Sequence, residues 1–580
     1  MARYMLIPAL LLAFSSSLAD GFRLPRLLGA SASSPSPTAL EATTATSTPN
    51  PQDLAGTTGT WNYEGWIKGF ETARTETSYE IKDIVEGSIP KDLTGTLFRN
   101  GHAKFDVEGL EIAHPFDGDG MISAVTFKDG RAFFRNRFVE TEGYKREKQS
   151  KKIEYRGTFG TQKPGGWIRN IFDTRRKNVA NTNVIFWGNR LLALWEGGLP
   201  HLMDPMTLQT FGESRLAKVL KSNQNLCAHP RYDPATDRYV FFSTDPDPRK
   251  TKVTLYEFDR DFKLVAERSE DMEGFSLLHD MVITPSYYVF FKAPLTLQPL
   301  SWLLGLTGVA SCIKFQDSQP AVAYLIPRSS PSKPMIPIPV DPHFSFHFSN
   351  AYDDASTGET VVDIIRVPKL YLTDTNGVTG NPIWKTVNYE QNVPKSTLWR
   401  YRLNPSLATH TKQELWSVYC DFPSIPVSRT GQQYRYTYLA AGRDPILPTP
   451  VGVVAKFDVE KGELVDAWTA EPNEFISETV VVPKDKGGKE GAAEDDVYLM
   501  TYVFNGDTCL SQILIFDAQS LGKGPLARLQ LNSNIPLSLH GTWAPDAVYE
   551  GEDILRKFKC YSGVSRFGKI ESGMAPIFEF

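Results

Sequence analysis

The chain has 580 residues, 41% of them hydrophobic and 12% aromatic, with a formal net charge of −5. A substantial core can therefore be buried, and the basic field that nucleic acid demands is missing. The five cysteines (Cys227, Cys312, Cys420, Cys509 and Cys560) are odd in number, far apart and without CxxC spacing. They read as free, mostly buried thiols, which excludes a disulfide framework or a zinc ribbon.

The first sixty residues are a separate material. Arg3 precedes an apolar run from Met5 to Phe14, and Ser17-Leu18-Ala19 supplies small residues for cleavage, so residues 1–19 read as a signal peptide. Residues 20–60 are rich in Ser, Thr, Ala and Pro and poor in acids, with Arg23 and Arg26 near their start. Transit peptides have that composition. The pair implies delivery to the plastid of an alga with complex plastids; simple secretion with a disordered linker is the alternative.

Residues 61–580 read as a single domain of short strands. Ile122–Phe127, the turn at Lys128-Asp129-Gly130 and Ala132–Phe138 predict one hairpin. Val184–Trp187, Gly188-Asn189 and Leu191–Trp195 predict another. Leu255–Asp259, Leu398–Arg402, Val454–Asp458 and Ile513–Asp517 echo one another as inner strands, with Leu464–Trp468 a partner strand. Such repetition suits an all-β fold, either a β-propeller or a large β-sandwich assembly. Residues 293–313 break the pattern with a nearly uncharged stretch interrupted by Pro294 and Pro299. It is too short to span a membrane, and reads either as an apolar lip dipping into one through Leu300, Trp302, Leu303 and Leu304 or as a loop packed on the core. Lys484 to Asp496 has the composition of an exposed polar loop.

Nine histidines occur. Ligands drawn from separate strands of a closed propeller would lie far apart in sequence, as His229, His279, His347 and His540 do. Spacing alone does not select them, because an arbitrary buried histidine is more often structural. Their flanks do: Ala228-His229-Pro230-Arg231-Tyr232-Asp233-Pro234, Leu278-His279-Asp280-Met281-Val282-Ile283-Thr284-Pro285, Phe346-His347-Phe348-Ser349-Asn350-Ala351-Tyr352 and Leu539-His540-Gly541-Thr542-Trp543. Upstream stand Gly87-Ser88-Ile89-Pro90-Lys91-Asp92-Leu93, Gly95-Thr96-Leu97-Phe98-Arg99-Asn100-Gly101 and His114-Pro115-Phe116-Asp117-Gly118-Asp119-Gly120-Met121. In order, these resemble the signatures and the four iron-ligand motifs of the carotenoid cleavage oxygenases. Gly165-Gly166-Trp167, Asn181-Thr182-Asn183 and Leu194-Trp195-Glu196-Gly197-Gly198 are most similar to the cyanobacterial apocarotenoid oxygenases of that family.

The resemblance implies a seven-bladed β-propeller with a loop and helix dome over the mouth, and Fe(2+) on the axis held by His229, His279, His347 and His540. It implies outer carboxylates at Glu196, Glu478 and Asp421. Asp421 stands where the family usually has Glu, so its bond to a histidine is expected to lengthen or pass through water. Thr479 likewise replaces the usual Pro after Glu478. A carotenoid or apocarotenoid and dioxygen would be the substrates, one double bond giving two carbonyls, with peripheral membrane contact and Phe116 and Trp195 lining an aromatic tunnel. Both aromatics are equally well explained as core packing. A stilbene substrate, or a non-cleaving isomerase or carotenoid-binding propeller, stays open as an alternative. Of the remaining histidines, His343 is the decoy, four before His347. His114 is expected to order the Asp117–Gly120 turn, and His102, His201 and His410 to lie on the surface or in loops.

Overall fold

Strand sequences here are apolar on both faces, which suits sheets sandwiched between neighbours rather than sheets with a wet side. In Gly95–Lys104, Leu97 enters one apolar cluster and the adjacent Phe98 another. Asp119–Lys128 repeats the division, with Val125 and Phe127 on one side and Ile122 and Ala124 on the other. Successive side chains alternate across a strand, so each sheet is packed on two others.

The structure, a computed structural model, describes residues 61–330, 332–372, 382–484 and 493–561. The signal and transit readings of residues 1–60 and most of the 484–496 loop lie outside them. The described residues all belong to one compact unit.

Seven antiparallel sheets of four to six strands are arranged as the blades of a β-propeller. The innermost strands, in order, are Gly541–Ala544 in blade 1, Asn183–Trp187 in blade 2, Arg231–Asp233 in blade 3 and Val282–Ile283 in blade 4. Phe348–Asp354 and Cys420–Ser424 follow in blades 5 and 6, and Glu474–Ile476 with Val480–Pro483 in blade 7. The ring closes at both ends of the chain. Gly541–Ala544 pairs with Gly95–Lys104 at the axis of blade 1, and Ile84–Gly87 pairs with Ala527–Gln530 at the rim of blade 7. Unravelling either end therefore means breaking a sheet that the other end helped to build.

Both predicted hairpins form, as Asp119–Lys128 with Arg131–Phe138 and Asn183–Trp187 with Arg190–Leu194. Their two-residue turns place Asp129 and Gly130, and Gly188 and Asn189, at positive φ, as a tight hairpin turn requires. The four echoing segments fall on Lys250–Phe258 (with Asp259 just past its end), Thr397–Asn404, Val451–Asp458 and Leu510–Asp517, each third from the axis in its blade rather than an inner strand, and Leu464–Trp468 lies in the partner strand Glu463–Thr469. Among the cysteines, Cys227, Cys312 and Cys420 are buried, Cys509 is half-buried and Cys560 exposed, all as free thiols.

Three histidines are not where the sequence reading placed them. His102 is buried inside Gly95–Lys104 and His201 inside His201–Met203, while His410 is half-buried in Thr409–Trp416. The loop reading failed because blade packing buries polar strand positions as well as apolar ones. Burial pushes His102 and His114 down to about 3, and His201 and His343 down to about 4. His114 also caps Pro115–Asp117, its Nδ1 accepting from the Phe116 N–H at 3.1 Å.

These rings stay neutral when folded but bind protons near pH 6.5 when unfolded. The unfolded chain thus holds more protons between about pH 6.5 and 4, and stability falls as pH falls through that window, by about 1.4 kcal/mol per pH unit for each site. Urea unfolding of the metal-free protein should show a lower midpoint at pH 5 than at pH 7. A His201→Gln variant should lose about one proton's worth of that slope; an unchanged slope would refute the assignment.

Candidate metal centre

Each of the four singled-out histidines sits where a connection enters an innermost strand. His229 lies just before Arg231–Asp233, His279 before Val282–Ile283, His347 before Phe348–Asp354 and His540 before Gly541–Ala544. Blades 3, 4, 5 and 1 thus each deliver one imidazole to the axis. The structure brings all four together, with one ring nitrogen from each lying within 4.8 Å of the others. Ring centroids are 4.4 Å apart for His229 and His540, 4.5 Å for His229 and His279, and 4.9 Å for His347 and His540. His343 is not in the group. Its Nδ1 lies 2.8 Å from the Asp341 carbonyl and its ring stacks on Tyr401.

The carboxylates come from the other three blades. His279 Nδ1 is 3.1 Å from Glu196 Oε1, His347 Nδ1 is 2.6 Å from Asp421 Oδ1, and His540 Nδ1 is 2.9 Å from Glu478 Oε1. An ionised carboxylate only accepts, so in each pair Nδ1 carries the proton and Nε2 keeps its lone pair free. The expected long or water-bridged bond at Asp421 is not what is found; that contact is direct and the shortest of the three. Backbone geometry makes up for the missing methylene. Pairing in Cys420–Ser424 shifts register after Asp421, and Phe422 adopts φ +52° while its N–H donates to Asp421 Oδ1 at 2.8 Å. Glu478 sits in the break between Glu474–Ile476 and Val480–Pro483, and its Oε2 accepts the Gly541 N–H at 2.7 Å. Glu196 follows Arg190–Leu194 and also accepts from Thr182 at 3.3 Å.

Burial pushes all three carboxyls up, but the charge and hydrogen bond of the adjacent imidazole outweigh it and hold each below its ordinary value. Burial and the other three imidazoles drive His229 well down, and burial outweighs Glu478 to lower His540. At His347 burial is overcome by the Asp421 charge, which raises it.

Nε2 of His229 and of His347 is buried without a hydrogen-bond partner. An orphaned buried acceptor is costly, and here two of them belong to a converging set of four. Four neutral nitrogen donors suit a divalent transition metal rather than calcium or magnesium. The residues therefore fit a metal ion. Phe346 lies edge-on to His279 at 5.4 Å, and Phe422 packs on His347 at 5.3 Å and His540 at 5.4 Å. Sequence reading missed both phenylalanines, although each is adjacent to a residue that it had selected.

Phe116 and Trp195 line one small cavity with Ile112 and Tyr155 but also with Asp117, Glu147 and Lys177, and none of the four histidines is among its lining residues. Trp195 is buried next to Glu196. Leu300–Leu303 form a short helix with Leu300 exposed and Trp302, Leu303 and Leu304 half-buried. One side is fastened: the Arg156 guanidinium lies 5.6 Å from the Trp302 ring, and the Leu303 carbonyl accepts the Phe172 N–H at 2.8 Å. The fastening brings residues 167–172 against this helix. Trp167, Ile168 and Phe172 are exposed beside Leu300 and Leu306, Ile168 to 70%. Among the described residues no helix is long and apolar enough to cross a membrane.

Comparison with known proteins matches residues 70–545 to the family described as retinal pigment epithelial membrane protein, RPE65. The chain is 39% identical to apocarotenoid-15,15′-oxygenase of Synechocystis over 83% of its length and 96% of the relative's. It is 27% identical to isoeugenol monooxygenase of Pseudomonas nitroreducens, over 80% of this chain and 94% of that one. Its structure superposes on cobalt-substituted Synechocystis apocarotenoid oxygenase with a TM-score of 0.79 at 38% identity, covering 84% of this chain and 99% of that chain.

His347→Ala should abolish stoichiometric binding of a divalent transition metal. Asp421→Ala should weaken it about ten- to hundredfold, the usual cost of losing an outer partner. His343→Gln should leave metal content unchanged, as read by equilibrium dialysis and elemental analysis.

Proposed function

Since the chain belongs to the RPE65/carotenoid oxygenase family, we propose that it is an iron(II) dioxygenase that cleaves a conjugated double bond of an apocarotenoid. The observation that carries this reading is the convergence of four imidazoles, three of them oriented by carboxylates, in a propeller 39% identical to an apocarotenoid oxygenase. Iron(II) at His229, His279, His347 and His540 would supply dioxygen activation, one oxygen atom going to each carbon of the cleaved bond to give two carbonyl compounds.

The protein's own part is positioning. Glu196, Asp421 and Glu478 hold three rings in the tautomer that presents Nε2 inward. The four donors are neutral, so the charge of a divalent ion held there would be balanced by Glu196, Asp421 and Glu478 behind the rings. Phe346 and Phe422 flank the rings and offer apolar surface where a polyene would lie. No acid–base pair is required by this chemistry.

A substrate of this kind is insoluble, and its source is a lipid phase. We propose that Trp167, Ile168, Phe172, Leu300 and Leu306, with the neighbouring Arg169 and Arg175, make the membrane contact. Delivery to a plastid is proposed from the composition of residues 1–60; a fluorescent fusion of the whole chain would distinguish it from the secretory route.

Iron-loaded protein given carotenoids, apocarotenoids and stilbenes under labelled dioxygen should turn an apocarotenoid into two carbonyl products, each carrying label by mass spectrometry. A product of unchanged mass would mean isomerisation, and turnover of stilbenes alone would overturn the substrate class. Ile168→Ser combined with Phe172→Ser should cut sedimentation with lipid vesicles several-fold while sparing metal content; equal sedimentation would remove the proposed contact.

A further inference from the structure

Outer carboxylates orient individual rings, but they do not explain why the strands bearing those rings keep their separations. His229, His279 and His347 come from three different sheets, and each is followed at once by a short or irregular innermost strand: Arg231–Asp233, Val282–Ile283, and Phe348–Asp354 with its register shift after Phe348. Backbone pairing within a blade does nothing to fix one blade against the next.

A single ion pair lies across all three. Arg231, two residues after His229, reaches Asp280, the residue after His279, at 2.5 Å. Arg231 Nε also donates to the Met281 carbonyl at 2.7 Å, and its Nη2 to the Phe348 carbonyl at 3.0 Å. Asp280 is fully engaged in turn. Its Oδ1 accepts the Met281 N–H at 2.7 Å and its Oδ2 the Phe348 N–H at 2.9 Å. The pair therefore contacts the backbone immediately beyond the second and third ligands and starts from the strand of the first. Pro230, between His229 and Arg231, restricts the backbone joining ligand and guanidinium. The fourth ligand has its own fastening. Buried Arg99 donates to Ser538 Oγ at 2.7 Å, the Leu539 carbonyl at 2.8 Å and the Glu478 carbonyl at 2.9 Å, just before His540 and at its carboxylate partner.

We propose that Arg231 and Asp280 are positioning residues for the metal centre, locking blades 3, 4 and 5 so that three of the four imidazoles stand at ligating separation before an ion arrives. Burial of an ion pair is weak evidence of net stabilisation, whereas a planar guanidinium whose Nε and Nη2 reach Asp280 and the Met281 and Phe348 carbonyls together fixes register. Asp280 contributes no ligand atom to the cluster, yet four hydrogen bonds converge on it and on its arginine from the ligand strands. The assignment rests on the metal-centre reading above.

An internal control exists. Arg328 joins blades 3 and 4 through Asp233 at 2.7 Å, Glu257 at 2.9 Å and the Thr284 carbonyl at 2.8 Å, at the far ends of the same inner strands from the histidines. It is as buried and as well paired, but it does not touch a residue adjacent to a ligand.

Cobalt(II) titration of the metal-free full chain, followed by dialysis and visible absorption, tests the proposal with Asp280→Asn, Arg231→Lys and Arg328→Gln. Asp280→Asn and Arg231→Lys should bind cobalt at least tenfold more weakly than wild type, with altered d–d bands and an unchanged far-ultraviolet spectrum. Arg328→Gln should unfold at lower temperature yet keep wild-type affinity and bands. Arg231→Lys retains the charge and so serves if Asp280→Asn does not fold. Wild-type cobalt affinity and bands in both Asp280→Asn and Arg231→Lys would overturn the proposal, as would equal weakening in Arg328→Gln, which would reduce the effect to general destabilisation. A wild-type chain that binds no cobalt would remove the metal centre itself, and this assignment with it.

Discussion

An imidazole has two nitrogens, and here one of them faces the protein while the other is kept for the centre. Three Nδ1–H groups are held by Glu196, Asp421 and Glu478, and the inward Nε2 atoms of His229 and His347 have no partner at all. Burying such acceptors without a protein partner costs free energy, and blade packing holds the rings there. A metal ion removes that cost, which couples binding to the stability of the centre.

A propeller suits this task because its axis is the one place where every blade ends. Blades 1, 3, 4 and 5 contribute histidines, and blades 2, 6 and 7 contribute carboxylates, so each sheet is represented once. Regular strands alone would not aim these side chains. The irregularities do: a split inner strand at Glu478, a left-handed Phe422 after Asp421, and a connection entering each ligand strand. Asp421, one methylene shorter than the glutamate that the resemblance implies, meets His347 directly, beside a register shift and a left-handed Phe422.

The outer surface carries a second theme. An apolar stretch that looked solitary in the sequence becomes half of a patch when its helix packs beside Trp167–Asn170. Its inner side is tied down by Arg156, and its outer side exposes large apolar side chains. Of the two readings of residues 293–313, the packed loop accounts for the side tied to Arg156, and the exposed side is the surface proposed for membrane contact.

Strand identity and the hairpin turns were legible because they are local: alternation and Asp-Gly or Gly-Asn pairs act over a few residues. The four histidines were legible through their flanking motifs, which carry the resemblance. Three things depended on atoms distant in the chain. His102 and His201 are interior because neighbouring blades cover their strands. The Asp421 bond is direct because Phe422 turns left-handed, and Arg231 meets Asp280 because two blades close on one axis. Sequence therefore determined which chemistry the chain can hold. Tertiary structure alone decided distances and burial, since these arise from packing between sheets and not from any residue's near neighbours.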